Sequence, residues 1–372
     1  ISLAEQCFLN EFIFSQSDLE IEVANSLLNE IEKDKNVNEL KVAILACFKP
    51  LSNSKIILEK LIYYQSKNVL FNDLIDMQIR EPNKEKELRQ KIVSIGDISN
   101  TVSKKVKNQY EFNPYPRWRF ISEGVKSNFI NILNSNIKPN KITSNRSFFN
   151  PNVLIAGCGT GQQLENAITY ENANILAIDL SRSSLAYAKR KTNELKLGNL
   201  KYLQADILHL HQMGKEFDII ESSGVLHHMH EPMAGWRVLV DLLKSGGMMK
   251  LGLYSEMARQ HILEVRNEIT KLSVGTSEAD IRKFRQSLVV SHNEHHQLLT
   301  KSNDFFSLSM MRDLIFHVQE HRFTLPKVKN CLEELGLKFC GFENKDFISN
   351  FKKLHRNEND IHQHFHKMRN QH

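Results

Sequence analysis

Over the first hundred residues apolar positions recur every three or four places, the spacing of helices that bury one face. Leu19, Val23, Ala24, Leu27, Leu28 and Ile31 make one stripe, and Ile56, Ile57, Leu58, Leu61 and Ile62 another. Pro50 and Pro82 punctuate the pattern, while Asp97 and Ser99 offer helix starts. Residues 1–108 are therefore predicted to form an α-helical accessory domain, without a period regular enough for a repeat array. From residue 151 the pattern changes to short apolar runs, such as Val153-Leu-Ile-Ala156 and Ile175-Leu-Ala-Ile178, alternating with polar helical stretches. That alternation predicts a doubly wound, mostly parallel α/β sheet over residues 151–255. Ile262, Val265, Ile269 and Leu272 then return to helical spacing, so residues 256–325 read as a helical insertion after the fifth strand, placed to act as a lid. The core is expected to resume over residues 326–345, with a helix at 326–335 and a strand at 337–342. Residues 346–372 read as a tail in which no seventh strand is recognisable.

Chemistry concentrates where the first run ends, at Gly157-Cys158-Gly159-Thr160-Gly161. Glycines at a strand end spare the backbone a Cβ and let a ligand approach closely. The second run ends in Asp179, an acid able to accept both hydroxyls of a ribose. A dinucleotide fingerprint spaces its glycines G-x-G-x-x-G beneath a pyrophosphate; here the spacing is the tighter G-x-G-x-G. No pair suited to hydride transfer is recognisable, so a nicotinamide-dependent oxidoreductase is disfavoured.

The glycine spacing resembles the class I S-adenosylmethionine (SAM) methyltransferases, a Rossmann-like family. Three further segments carry the same resemblance: Leu203-Gln-Ala-Asp206-Ile207; Phe217-Asp-Ile-Ile-Glu221-Ser-Ser-Gly224 with its following loop; and Leu243-Lys-Ser-Gly246-Gly247 leading to Gly252. The resemblance implies that Gly157, Cys158, Gly159 and Gly161 lie under the methionine portion of the cofactor. It implies Asp179 and Leu180 at the ribose, Asp206 and Ile207 at the adenine, and Glu221 and Ser222 on the floor near the sulfonium. Cys158 then serves as a small filler residue.

Upstream, Asn113-Pro-Tyr115-Pro-Arg-Trp118 has prolines at alternate positions, which excludes regular helix and fixes an extended, rigid segment. Together with Glu81-Pro82, Gln109-Tyr110 and the distant Phe316-His317-Val-Gln319-Glu320-His321-Arg322, it resembles a bacterial subgroup of these methyltransferases. Some members of that subgroup carry tetratricopeptide repeats upstream. The likeness spans most of the chain except its last 25 or so residues. It places Tyr115 and Trp118 over the cofactor from the N-terminal side. Asn-Pro-Tyr-Pro is not the Asn/Asp-Pro-Pro-Tyr of nucleic-acid amino-methyltransferases, which follows the fourth strand where this chain has Glu221-Ser-Ser-Gly.

Composition changes the picture little. The chain has 372 residues, 41% hydrophobic and 25% charged, the balance of an ordinary protein of about two domains. No apolar run approaches the roughly 20 residues that cross a bilayer, and the first residues lack the basic start of a signal peptide. A start at Ile1 instead of Met leaves room for an upstream segment. Five cysteines without a C-x-x-C pair imply reduced thiols and a cytoplasmic setting. Residues 109–150 read as a linker and basic segment, and much of the net charge of +6 falls between Asn113 and Asn150, where Arg117, Arg119, Lys126, Lys138, Lys141 and Arg146 face only Glu123. Two readings stay open for it: a solvated face, or a guide for an anionic partner.

For proton transfer the candidates are His227 and His228, just past the fourth strand, and Tyr254 at the end of the fifth. His317-x-x-Glu320-His321 is expected on one polar helix face, without the further ligand a metal site needs. His362-x-His364-x-His366 in the tail is expected to be solvated and to bind metal only adventitiously. The resulting expectation is a SAM-dependent methyltransferase acting on a protein side chain or a small metabolite rather than a nucleic acid. It needs no resident metal and touches no membrane, and a protein partner is expected at the helical N-terminal domain. The rival is a non-catalytic module of the same fold working through that domain.

Overall fold

The computed structural model describes residues 1–120, 124–137, 142, 148–165, 167–343, 348, 349 and 353. Its centre is a sheet of six parallel strands: β1 (Ser94–Ile95), β2 (Asn152–Ala156), β3 (Asn174–Asp179), β4 (Leu200–Ala205), β5 (Phe217–Ser223) and β6 (Leu243–Gly252), in the order β1-β4-β3-β2-β5-β6. Strand order therefore reverses between β2 and β5, and the crevice beyond their carboxyl ends is where such sheets bind ligands. Successive side chains of a strand point to opposite faces. Val153 and Ile155 accordingly join one apolar cluster, with Ile175 and Ile219, while Leu154 and Ala156 join another, with Ile178 and Ile220. Both faces are covered, so β2 reads as a continuous apolar run.

Helices α1 (Ser2–Leu9), α2 (Asp18–Lys33), α3 (Glu39–Leu45), α4 (Lys55–Leu61) and α5 (Val69–Ile75) enclose a core of their own around Leu45, Phe71 and Leu74. At its centre Gln78 is fully buried; its Oε1 accepts from the Leu51 amide and its Nε2 donates to the carbonyls of Ala4 and Ala46. Pro82 does not break the chain's helical course. It sits in the first turn of α6 (Glu81–Gln90), where its missing N–H costs nothing, and α6 continues from α5 through a π-helical turn at Asp76–Arg80. The wholly helical expectation for residues 1–108 needs one correction, since β1 lies within it and adds an edge strand beside β4. Two residues are too few for a periodicity to register. Next, α7 (Thr101–Phe112) is capped by Asn100, not by Asp97 or Ser99.

The sheet is flanked by α8 (Phe129–Asn136), α9 (Arg182–Glu194) and α10 (Pro232–Asp241). The insertion after β6 folds as α11 (Gln260–Lys271), α12 (Glu278–Val289), α13 (Glu294–Thr300) and α14 (Leu308–Phe316) around their own apolar core. Ile13 from the N-terminal segment is buried in that core, and Arg282 donates to the Phe12 carbonyl at 2.7 Å. The N-terminal helices are thus keyed into the insertion as well as the sheet.

Two sequence expectations fail near the C-terminus. Residues 317–321 are not helical, because the chain leaves α14 and its backbone pairs with the site loops: His321 N–H donates to His227 O at 2.7 Å and Phe323 N–H to Tyr254 O at 2.8 Å. The helix expected at 326–335 is present as α15 (Leu325–Glu334), but residues 337–342 form no strand. Phe339 and Phe342 bring their rings to 4.8 Å, whereas residues three apart on a strand face opposite ways. The seventh strand sought in residues 344–372 lies outside the described residues except for positions 348, 349 and 353.

The buried Arg190 of α9 holds α6 against the sheet. Its guanidinium meets Glu81 at 3.1 Å, Glu85 at 2.8 Å and Glu194 at 2.7 Å. Removing one partner of a buried ionic cluster leaves uncompensated charge behind. Arg190→Met should lower unfolding stability in urea by about 3–5 kcal/mol.

Candidate functional site

The turn leaving β2 curls onto the end of β3. Gly157 and Cys158 both donate their N–H groups to Ile178 O at 2.9 Å, and Gly159 N–H donates to Asp179 Oδ2 at 2.9 Å. Gly157, Gly159 and Gly161 adopt φ values of +84°, +52° and +95°, the region that favours glycine. The space a Cβ would fill is taken by protein. At Gly157 it would lie 2.2 Å from Val225 Cγ2, and at Gly161 3.0 Å from Ala188 Cβ of α9. These two glycines let the loop after β5 and the helix after β3 close on the turn.

In front of the turn lies a cavity of about 360 Å³. Gly157, Cys158, Gly159, Asp179, Leu180, Asp206, Ile207, His228, Tyr254 and Tyr115 line it. Asp179 is positioned by two backbone amides, Gly159 at Oδ2 and Ser181 at Oδ1, each at 2.9 Å. Burial pushes its carboxyl up to about 6; those amides oppose the rise, and nearby Glu111 adds to it. Asp206 accepts from Leu208 N–H through Oδ1, whereas its buried Oδ2 has no hydrogen-bond partner. An orphaned acceptor in a cavity is costly unless a ligand donates to it.

Other sequence candidates sit elsewhere. Trp118 is behind the glycine turn, where its Nε1 donates to Thr160 O at 3.0 Å and its carbonyl accepts from the Tyr187 hydroxyl at 2.6 Å. It braces the turn and does not line the cavity. Gly161, packed on α9, is likewise off the wall. The expectation that Glu221 and Ser222 form the floor is corrected, because both side chains are buried and held by partners away from the cavity. Glu221 accepts from Tyr170, and Ser222 Oγ donates to Ala156 O at 3.0 Å. Ser223, Gly224 and Val225 take the floor instead.

At the far end of the cavity the two histidines separate. His227 stacks on Tyr254 at 3.6 Å, has neither ring nitrogen hydrogen-bonded, and is off the wall. Burial, then His228 and Arg259, pushes it down to about 2. His228 faces the cavity with Nδ1 2.7 Å from Gln319 O. A carbonyl only accepts, so the proton is on Nδ1 and Nε2 carries a lone pair. Burial also lowers His228, which keeps the ring neutral. Sequence reasoning missed Tyr110, Asp304, Asp313 and Arg259 on this wall. His317, expected only on a polar helix face, stacks on His228 at 3.6 Å. Arg259 lies 3.7 Å above the Tyr254 ring and pairs with Glu320 at 2.8 Å. The partners of His228 are about ninety positions away in the chain, beyond the reach of any local pattern.

Residues 153–247 match a family model described as a methyltransferase domain. An uncharacterized protein of Synechococcus sp. is 29% identical over 206 residues, which cover 53% of this chain and 49% of that one. A ubiquinone biosynthesis O-methyltransferase of Coxiella burnetii is 32% identical over 97 residues, covering 26% of this chain and 41% of the enzyme. The chain thus spans about half the length, or less, of these relatives. The solved structure of PKMT2 from Rickettsia typhi aligns with 64% of this chain and 49% of its own at 17% identity, with a TM-score of 0.48.

Gly157→Ala should cost more than its backbone strain of about 1–2 kcal/mol, because the new methyl meets Val225. Gly214→Ala, at φ +55° with nothing within 4 Å, should cost only the backbone part. Urea unfolding of the two variants measures the difference.

Proposed function

We propose that this chain is a SAM-dependent methyltransferase whose acceptor is a protein side chain or a small metabolite. One observation carries the reading. A single cavity joins the glycine turn and two differently presented acids, Asp179 and Asp206, to a second half walled by tyrosines and a neutral histidine. The fit to the nucleoside part is specific in its donor and acceptor pattern. Asp179, held from behind by two amides, offers its carboxylate to paired hydroxyls, and the unpartnered Oδ2 of Asp206 suits an exocyclic amine. Ile207 and Leu180 supply apolar wall for a flat base. The match of residues 153–247 to a methyltransferase domain supports the same reading.

When bound, SAM supplies an electrophilic methyl carbon on a sulfonium. The protein's part is to hold the acceptor in line, exclude water, and accept a proton where the acceptor must lose one. Tyr110, Tyr115 and Tyr254 enclose the acceptor half. His228 Nε2 is the group we assign to acceptor activation, since its ring is neutral and its tautomer is set by Gln319 O. His227 backs it through ring contact at 4.3 Å. A cytoplasmic setting and a polypeptide partner at the N-terminal helices, where Leu19 and Leu40 are exposed, belong to the same proposal. No helix among the described residues is long and apolar enough to cross a membrane.

Calorimetric titration with SAM and with S-adenosylhomocysteine tests it. Binding is expected for the wild type and should be lost in Asp179→Ala; no binding of either ligand to folded wild-type protein overturns the proposal. The pH dependence has a definite sign. Asp179, raised to about 6, must be deprotonated to accept two hydroxyls, so affinity should be full above about pH 7 and fall as pH drops through 6. Asp179→Asn should bind more weakly and lose that dependence.

A further inference from the structure

Behind the acceptor wall, three buried side chains from distant parts of the chain meet. His228 follows β5, Asp313 lies on α14, and His317 immediately follows α14. Each can offer one ligand atom, and these atoms all lie within 4.8 Å of one another. His317 stacks on His228 at 3.6 Å, and its Nδ1 lies 2.8 Å from Gln319 O, the carbonyl that His228 Nδ1 also meets at 2.7 Å. A carbonyl only accepts, so the His228 proton is on Nδ1 and its Nε2 is a bare lone pair. His317 Nδ1 meets both the carbonyl and the N–H of Gln319, so its lone pair is free to sit on either ring nitrogen. The Gln319 amide stands 3.2 Å from the same His317 nitrogen, a longer contact than the one to its carbonyl. His317 Nε2 is buried and has no hydrogen-bond partner. No hydrogen bond links either imidazole to Asp313 among the described residues; its Oδ1 accepts from Tyr110.

Three donors that do not bond one another lie within 4.8 Å, close enough for small side-chain rotations to bring them around one ion. Ligand atoms bonded at about 2.0–2.2 Å to one metal stand roughly 3–4 Å apart. A backbone carbonyl holding the remote N–H of an imidazole, as Gln319 O holds that of His228, is the usual support of a ligating histidine. Of the surrounding charges, Asp304 adds a carboxylate to the wall and Arg259 is paired with Glu320, while Arg266 brings a cation to the His317 carbonyl.

We propose that His228, Asp313 and His317 form a binding site for one divalent transition-metal ion of the zinc, cobalt, iron and manganese class. Two imidazoles and one carboxylate suit these ions, and three protein ligands leave a coordination position open. His228 and Asp313 both line the cavity, so the open position faces the acceptor half. An oxygen, nitrogen or sulfur of the acceptor bound there would lose its proton to water more readily, and His228, its lone pair given to the ion, would hold the ion and not itself take that proton. The site stands on these residues alone; only its role in acceptor activation rests on the methyltransferase reading.

The test uses the full chain with His362, His364 and His366 replaced by alanine, stripped with EDTA and titrated with Co²⁺. Binding of one equivalent, with visible absorption bands that Zn²⁺ abolishes, is the expected result. His317→Gln and Asp313→Asn should each weaken binding at least about tenfold. S-adenosylhomocysteine affinity should stay within about twofold in His317→Gln, whose side chain does not line the cavity, and urea unfolding reports that both variants are folded. Loss of Co²⁺ binding on removing the tail histidines, or equal binding by the two ligand variants and their parent, overturns the proposal. Either outcome leaves the cofactor reading standing, because that reading falls only if S-adenosylhomocysteine fails to bind.

Discussion

Three backbone amides close the turn after β2 onto the end of β3, and the geometry of the site follows from that closure. Gly157 and Cys158 share the Ile178 carbonyl, and Gly159 takes one oxygen of Asp179. Each bond brings the chain back over the strand ends, which only a left-handed backbone achieves here. Once the turn is closed, Val225 and Ala188 occupy the room left by the absent side chains. The acid that faces the cavity is thereby also the acid that holds the turn. Its burial raises its pKa, so shaping the site and tuning its titration are one event.

The rest of the molecule supports this turn from outside. The proline-rich segment behind it donates the Trp118 indole to Thr160 and clasps Tyr187 of α9. Glu11, in the N-terminal segment, accepts from Arg117 at 3.2 Å and from the Ser309 amide at the start of α14. Tyr110 at the end of α7 donates to Asp313 of α14. The cavity is therefore a joint product of the sheet, the proline-rich segment and the inserted helices. The inserted helices act as a wall locked to the N-terminal unit through Ile13 and Arg282.

Legibility differed sharply between the two halves of the cavity. The half formed by Gly157, Gly159, Asp179, Asp206 and Ile207 was readable because each residue sits at a strand end marked by an apolar run. Trp118 was placed on the wrong side of the turn, since the direction of a side chain on an extended segment depends on what packs behind it. Glu221 and Ser222 were placed on the floor because the position of the strand was legible but not which of its side chains are held by partners away from the cavity. Local spacing puts His317, Glu320 and His321 on one helix face. Backbone bonds from His321 to His227 and from Phe323 to Tyr254 outweighed that local preference.

By itself the sequence determined what acts over a few residues: strand runs buried on both faces, glycines where φ is positive, and the order of helices around them. Tertiary structure alone decided which polar groups would be left facing one another. His228, Asp313 and His317 are separated by up to ninety positions and meet only because α14 ends against the loop after β5. Burial then strips water from them, and the Gln319 carbonyl selects the tautomer of His228. Hydration and tautomer are properties of an environment, and no environment exists until the chain has closed around them.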